Sequence, residues 1–227
     1  MRIAEALRRL ALCRATLAGA LALVVLGAQA GSEPSAAEEA IFMRAHLTGL
    51  APPAVLHYAY REQGGGGPVV EDSADLALEA DGPDAYRVSA RFLSDERQVR
   101  LPVVSGATAN PVVLYFLEHD VRRMHADLGG ATNYFRRHIR LALAEAAEVA
   151  PVHFELDGRR LEGTRIRIEP FRDVDRPERL QGRAGKRYEF ILSAAVPGGV
   201  YDVRTRVPDA AGQAGREISL TLNGGGS

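Results

Sequence analysis

Most of this chain alternates apolar and polar residues with a period of two, and this rhythm constrains its fold more than any other feature. Strict alternation buries one face of a strand and leaves the other face in water. The short turns between segments, such as Asp157-Gly158, favour antiparallel hairpins. We therefore predict about nine strands. Their centres are 56–60, 76–80, 86–92, 99–103, 152–156, 161–168, 188–192, 201–207 and 218–222.

The middle of the chain changes to a helical period. Asn110-Pro111 is typical of a helix start, with an Asn cap followed by Pro at the first helical position. Two apolar stripes follow, separated by Gly129-Gly130, and Pro151 is expected to end the second. We predict a helical hairpin over about 110–149. The stripes are Leu114, Leu117, Val121, Met124 and Leu128, then Phe135, Ile139, Ala142, Ala146 and Val149.

A shorter helix is predicted near the N-terminus. Ser35 and Glu38 have the spacing of a capping box, and the helix is expected to reach about Leu47. The predicted order is helix, four strands, helical hairpin and five strands. A sheet of nine strands with one apolar face must curl or be covered. The fold class is therefore α+β: a strongly curved antiparallel sheet or half-barrel with the helical hairpin packed on one face.

The first 30 residues resemble a secretory signal. A positive segment precedes the apolar run 17–26, and Ala28-Gln29-Ala30 is a small-x-small tripeptide suited to cleavage after Ala30. The apolar run is shorter than the about 20 residues that span a membrane. We expect a periplasmic or secreted protein with no transmembrane segment in the mature chain. Residues 31–222 are predicted to form a single domain, and 223–227 a flexible tail.

Charge and cysteine content restrict the function classes. The first 30 residues contain four arginines and Glu5, so the mature chain keeps 24 basic and 28 acidic residues, a net charge of −4. This balance argues against a nucleic-acid binder. The one cysteine, Cys13, precedes the apolar run, where it would not serve for acylation. The mature chain then has no disulfide, and no cofactor is indicated.

The order of predicted elements resembles the periplasmic lipoprotein-carrier superfamily of LolA and LolB type. The resemblance covers most of the mature chain and is one of topology. It implies an open β-barrel with helices that form a lid over an apolar cavity.

Aromatic and basic residues on the predicted hairpin are the candidate ligand-binding residues. Tyr115, Phe116, Tyr134 and Phe135 are placed to line a cavity, or to pack the helices on the sheet. Arg136 and Arg140 belong to an arginine-rich surface that suits anionic lipid head groups or an acidic partner, or is simply solvated. The arginine-rich segment 170–187 is long for a connection, which suggests function or mobility.

No catalytic residue is predicted, and no metal site. His119, His125 and His138 lie on the hairpin, but their spacing does not place two on one helix face. Glu118 with Arg122, and Arg123 with Asp127, are expected to form exposed pairs at i,i+4.

The sequence leaves three functions open. The first is an exported non-enzymatic binding or accessory protein that holds an apolar ligand or partner segment between curved sheet and helical lid. The second is a structural or assembly component of an envelope complex. The third is a metal-dependent or hydrolytic periplasmic enzyme. The partner would be an apolar ligand or an envelope protein, with contact to a membrane surface left open.

Overall fold

The computed structural model describes residues 33–209 and 214–223. Nine antiparallel strands form an open, curved sheet, as the alternation predicts. The predicted signal peptide, its cleavage after Ala30 and the end of the predicted tail lie outside the described residues. The strands are β1 (Ala54–Gly64), β2 (Val70–Ala80), β3 (Tyr86–Phe92), β4 (Val104–Ala107), β5 (Glu148–Leu156), β6 (Arg159–Ile168), β7 (Arg187–Leu192), β8 (Val200–Pro208) and β9 (Ala214–Leu222).

The sheet consists of two meanders that join along β1 and β9. The strand order is β4-β3-β2-β1-β9-β8-β7-β6-β5. Tyr58 is paired with Leu222 and Tyr60 with Leu220 at the junction. The chain leaves the sheet at one edge, β4, and returns at the opposite edge, β5. The segment between these strands must therefore cross one face of the sheet.

That crossing segment is the helical hairpin, α2 (Val112–Leu128) and α3 (Thr132–Glu145). Asn110 lies at its start, where its side-chain oxygen accepts a hydrogen bond from the backbone N–H of Val112 (3.0 Å). The first helical residue is Val112 rather than Pro111, which is the N-cap. Helix α2 contacts β8, and α3 contacts β6. We call the sheet face under the two helices the inner face, and the opposite one the outer face.

The prediction was wrong about the end of the hairpin. Helix α3 ends at Glu145, and β5 already begins at Glu148, so Val149 and Pro151 belong to an edge strand. An edge strand tolerates Pro because its N–H groups can face away from the sheet. Val149 is 43% exposed rather than part of the buried helical stripe.

The N-terminal helix is shorter than predicted. Ser35 and Glu38 form the expected capping box around α1 (Ala36–Glu38), which continues as a π-helical turn to Met43 rather than to Leu47. The Ser35 hydroxyl also donates to the backbone oxygen of Leu143 at the end of α3 (2.9 Å). No helix within the described residues is long and apolar enough to cross a membrane.

Candidate binding site

The space between α2 and the sheet is filled by side chains. Phe116 is fully buried on this helix face, and Val112, Val113 and Val121 lie beside it. Burial of an apolar side chain of this size contributes about 1.5–3 kcal/mol. Tyr115 is also buried, and its hydroxyl donates to the backbone oxygen of Pro102 (3.0 Å). Two of the candidate ligand-binding residues, Tyr115 and Phe116, therefore pack α2 in place.

Tyr134 and Phe135 lie at an open cleft. This cleft, of about 860 Å³, opens where the hairpin tip meets the connection between β6 and β7. We call it the tip cleft. Its lining residues are Leu128 to Ala131, Tyr134, Phe135 and His138 on the hairpin, and Asp173 to Arg176 with Arg179 to Gln181 on the connection.

The floor and one wall of the tip cleft are apolar and aromatic. The Phe135 ring meets Phe171 edge-on, with centroids 6.2 Å apart, and both rings are buried. Tyr134 packs on His138 (4.2 Å between centroids) yet remains 41% exposed. An exposed large aromatic side chain above a buried aromatic floor is a surface that a ligand can cover.

The connection that forms the other wall is held by two buried anchors. Phe171 and Leu180 pack into the core at either end of its central part, and a short 3₁₀ turn occupies Pro177–Leu180. The side chains between the anchors are mostly exposed and carry both signs of charge. Asp173 and Asp175 face the cleft together with Arg176 and Arg179, so the rim has no net charge.

Arg136 and Arg140 lie on the outer surface of α3, away from the lining of the tip cleft. Arg136 donates to Glu118 on α2 (3.1 and 2.9 Å), which links the two helices. Glu118 also accepts from Arg122 (3.0 Å), so this predicted pair is present. Burial alone would raise the pKa of Glu118, but the hydrogen bonds from Arg136 and Arg122 outweigh burial and lower it.

The other predicted helix pair was wrong, because Arg123 turns toward the sheet. It donates two hydrogen bonds to Glu62 on β1 (2.5 and 2.9 Å), and Arg216 on β9 binds the same carboxylate. Asp127 pairs instead with Arg183 (2.9 Å). The half-buried carboxylate of Glu62 forms a bidentate, partly desolvated ion pair with Arg123. Such a pair is stronger than an exposed ion pair along the helix.

A buried polar group on the inner face was not predicted from the sequence. Asp120 on α2 accepts from Lys186 Nζ (2.7 Å) and from the Tyr188 hydroxyl (2.5 Å). Asp120 is 2% exposed and Lys186 4%. Burial lowers the pKa of Lys186, an effect that Asp120 opposes. The signal was present in the sequence, because Asp120 lies four residues from both Phe116 and Met124 and Lys186 is the sole lysine.

His119 is buried beside this group without a hydrogen-bond partner for Nε2 among the described residues. Its ring lies between Tyr60 and Phe92, with centroids 6.0 and 5.3 Å away. Burial and the nearby Arg123 lower the pKa of His119 to about 4. The ring packs against aromatic side chains and its pKa is well below 7, so we interpret His119 as a core residue that is neutral at pH 7.

The other hairpin histidines do not converge with His119. His125 Nδ1 lies 2.7 Å from the backbone oxygen of Gly130, and His138 Nδ1 lies 2.9 Å from that of Tyr134. Across the described ranges, no group of three His, Cys, Asp or Glu side chains is placed to hold a metal ion.

A second cleft, of about 470 Å³, lies at the other end of the inner face. It is bounded by residues 44–50 and by the loop 192–199. Asn110 supports this end, since its side-chain amide donates to the Tyr58 hydroxyl (2.9 Å) and to Gly198 O (2.8 Å). His46 is buried here, which lowers its pKa. Six of its fourteen lining residues are Ala or Gly, and none is Phe or Tyr.

Comparison with known proteins gives distant structural likenesses, LppX and LprF among them. The lipoprotein LppX of Mycobacterium tuberculosis is 10% identical, with a TM-score of 0.30, over 76% of this chain and 86% of LppX. LprF from Mycobacterium bovis is 15% identical, with a TM-score of 0.32, over 86% of this chain and 95% of LprF. No family model and no curated protein matches the chain. Structural similarity this low carries no argument about the function of this chain.

Proposed function

We propose that this protein is an exported, non-enzymatic binding protein that holds an apolar ligand in the tip cleft. The observation that carries this proposal is the exposed Tyr134 beside the buried ring of Phe135, both of which line the cleft, with Phe171 packed against Phe135. Ligand sites are concave, mostly apolar and usually about 300–1,000 Å³, which includes the 860 Å³ of this cleft. The rim carries charged side chains of both signs that sum to zero, and these side chains keep the cleft hydrated when no ligand is bound.

The site proposed here lies at the open end of the lid rather than deep under it. Helix α2 is packed onto the sheet by Phe116 and its neighbours, so the sheet and α2 leave little room between them. The hairpin tip is different, because Gly129 and Gly130 carry no side chains to fill the gap. An acyl chain or an apolar partner segment fits an opening of this shape better than a compact polar substrate.

The first experiment asks whether the protein carries a ligand. The mature chain, purified without detergent, would be analysed by native mass spectrometry and by lipid extraction. We expect an apolar molecule to co-purify, or to be taken up from a mixture of lipids. A chain that neither carries nor takes up any apolar molecule contradicts the proposal.

The second experiment locates the site. A fluorescent fatty acid can be titrated directly, because the chain has no tryptophan whose fluorescence would interfere with that of the probe. Its aromatic residues include seven tyrosines. Val174→Glu places a carboxylate on the half-buried wall of the cleft, and we expect at least about tenfold weaker binding, or 1.4 kcal/mol. Val103→Glu is the matched control, since Val103 is 55% exposed and outside the cleft lining. Equal weakening by both variants contradicts the location.

A second candidate is a structural or assembly component of an envelope complex. The packed interior under α2 favours it, because a filled core leaves surface contacts as the main mode of action. Photo-crosslinking in cells separates the two candidates. A crosslinker at Tyr134 that captures small apolar molecules supports the ligand-binding proposal. Capture of one protein from several outer-face positions supports the assembly role.

A further inference from the structure

A small cavity lies beneath α2, on the inner face and apart from the tip cleft. Its volume is about 20 Å³, which exceeds the roughly 10–15 Å³ needed for one water-sized particle. Its lining is both apolar and polar. The apolar residues are Met124, Val207 and Ile218, and the polar ones are Asp120, Arg123, Asp127, Arg183, Lys186, Thr205 and Arg216.

Thr205 marks the cavity as a place for an occupant. Its side chain is 2% exposed, and its hydroxyl has no hydrogen-bond partner within the described part of the chain. A buried polar group left without a partner destabilises the fold, so an occupant that pairs with it is favoured. Lys186 adds unused donors, since its ammonium has three N–H groups and makes one hydrogen bond among the described residues, to Asp120.

The charges around the cavity do not balance. Arg123 and Arg216 share the single carboxylate of Glu62. Lys186 pairs with Asp120 and Arg183 with Asp127, one cation to each anion. The region therefore has one positive charge in excess. Its cations are Lys186, Arg123, Arg183 and Arg216, and its anions are Asp120, Asp127 and Glu62.

We propose that this cavity binds one monatomic anion of halide size, held by the Thr205 hydroxyl and the Lys186 ammonium. Both groups can donate to it. The anion would also neutralise the excess positive charge. Water is the competing occupant, because the Thr205 hydroxyl and the carboxylates of Asp120 and Asp127 can accept its hydrogens. The excess positive charge favours an anion over water. The anion would link α2 to β8 and stabilise the hairpin against the sheet.

Bromide tests the occupant directly. Crystals of the mature protein grown in sodium bromide should show an anomalous peak between Thr205 Oγ1 and Lys186 Nζ. In solution, the melting temperature should rise with chloride or bromide, relative to gluconate at the same ionic strength. A peak without anomalous signal, meaning water only, overturns the proposal. So does an anomalous peak with no halide dependence in solution, meaning an adventitious ion only.

A threonine variant shows whether the halide effect comes from this cavity. Thr205→Val keeps the side-chain shape and breaks no hydrogen bond within the described residues, so the variant should fold. We expect its apparent halide affinity to fall at least about tenfold, because the variant cannot donate a hydrogen bond to the charged ion. Thr221→Val on β9 is the matched control. Its hydroxyl donates to Asp202 (2.6 Å), outside the cavity lining, so its halide dependence should be unchanged. Unchanged dependence in Thr205→Val overturns the proposal.

Discussion

His119 should make the protein lose stability in mild acid, and replacing it should remove that loss. The ring is 7% exposed, and its buried Nε2 has no partner among the described residues. The pKa of His119 is about 4 in the folded protein, against 6.5 for an ordinary histidine. The unfolded chain therefore binds a proton below pH 6.5 that the folded protein does not bind until about pH 4. Stability from this group is complete above pH 6.5 and is lost as the pH falls toward 4.

The size of the effect follows from the two pKa values. Between pH 7 and pH 5 the free energy of unfolding should fall by about 2 kcal/mol from His119 alone, and by about 3 kcal/mol once the pH is below 4. His119→Leu removes the titrating group. It also removes the unpaired buried nitrogen, so the variant should be at least as stable as the wild type at pH 7.

Urea unfolding at pH 7, 6 and 5 measures the difference between the two proteins. Carboxylates contribute equally to both, so the gap between wild type and His119→Leu isolates the histidine. His153→Leu is the control for a histidine-to-leucine change outside the core, because the His153 side chain is half exposed at the sheet edge. If wild type and His119→Leu lose the same free energy from pH 7 to pH 5, His119 is not the neutral core residue inferred here.

Three further predictions concern the packing of the core. Lys186→Met should lower the free energy of unfolding in urea by about 3–5 kcal/mol, because it leaves Asp120 charged and buried. Adding Asp120→Leu should restore most of that loss, and no recovery contradicts the pairing. Gly198→Ala should lower the free energy of unfolding by about 2 kcal/mol or more beyond the loss in Gly66→Ala. Both glycines have positive φ, but only a Cβ at 198 would overlap the Leu56 side chain. Equal losses contradict this reasoning. Asn110→Ala should cost about 3 kcal/mol through three hydrogen bonds, and a loss under about 1 kcal/mol contradicts their role.

Much of the secondary structure could be predicted because its causes are local. Alternation along each strand reflects which face meets the core, and eight of the nine strands appear where it occurs. The fourth was wrong, because residues 99–103 precede the strand and β4 occupies Val104–Ala107. Asp157 and Gly158 have φ of 52° and 72°, the left-handed pair that a two-residue hairpin requires. Asn110 starts α2 through its own side chain. Each of these depends on residues within a few positions of one another.

Only part of the candidate site could be predicted from local patterns. Tyr134 and Phe135 reach the tip cleft, whereas Tyr115 and Phe116 are core residues and Arg136 binds Glu118. The apolar stripe of a helix does not reveal which of its aromatic residues meet the sheet and which remain at an opening. That depends on where the helix ends relative to the connection between β6 and β7.

The sequence by itself determined the strands, the helical hairpin and the α+β class, since hydrophobic period and turn chemistry are local properties of the chain. Tertiary structure alone decided that β1 joins β9, that Arg123 binds Glu62 rather than Asp127, and that Asp120 meets Lys186. These partners are about 60 to 160 residues apart. Charged side chains select partners by distance and desolvation, and both quantities exist only once the sheet has brought distant segments together.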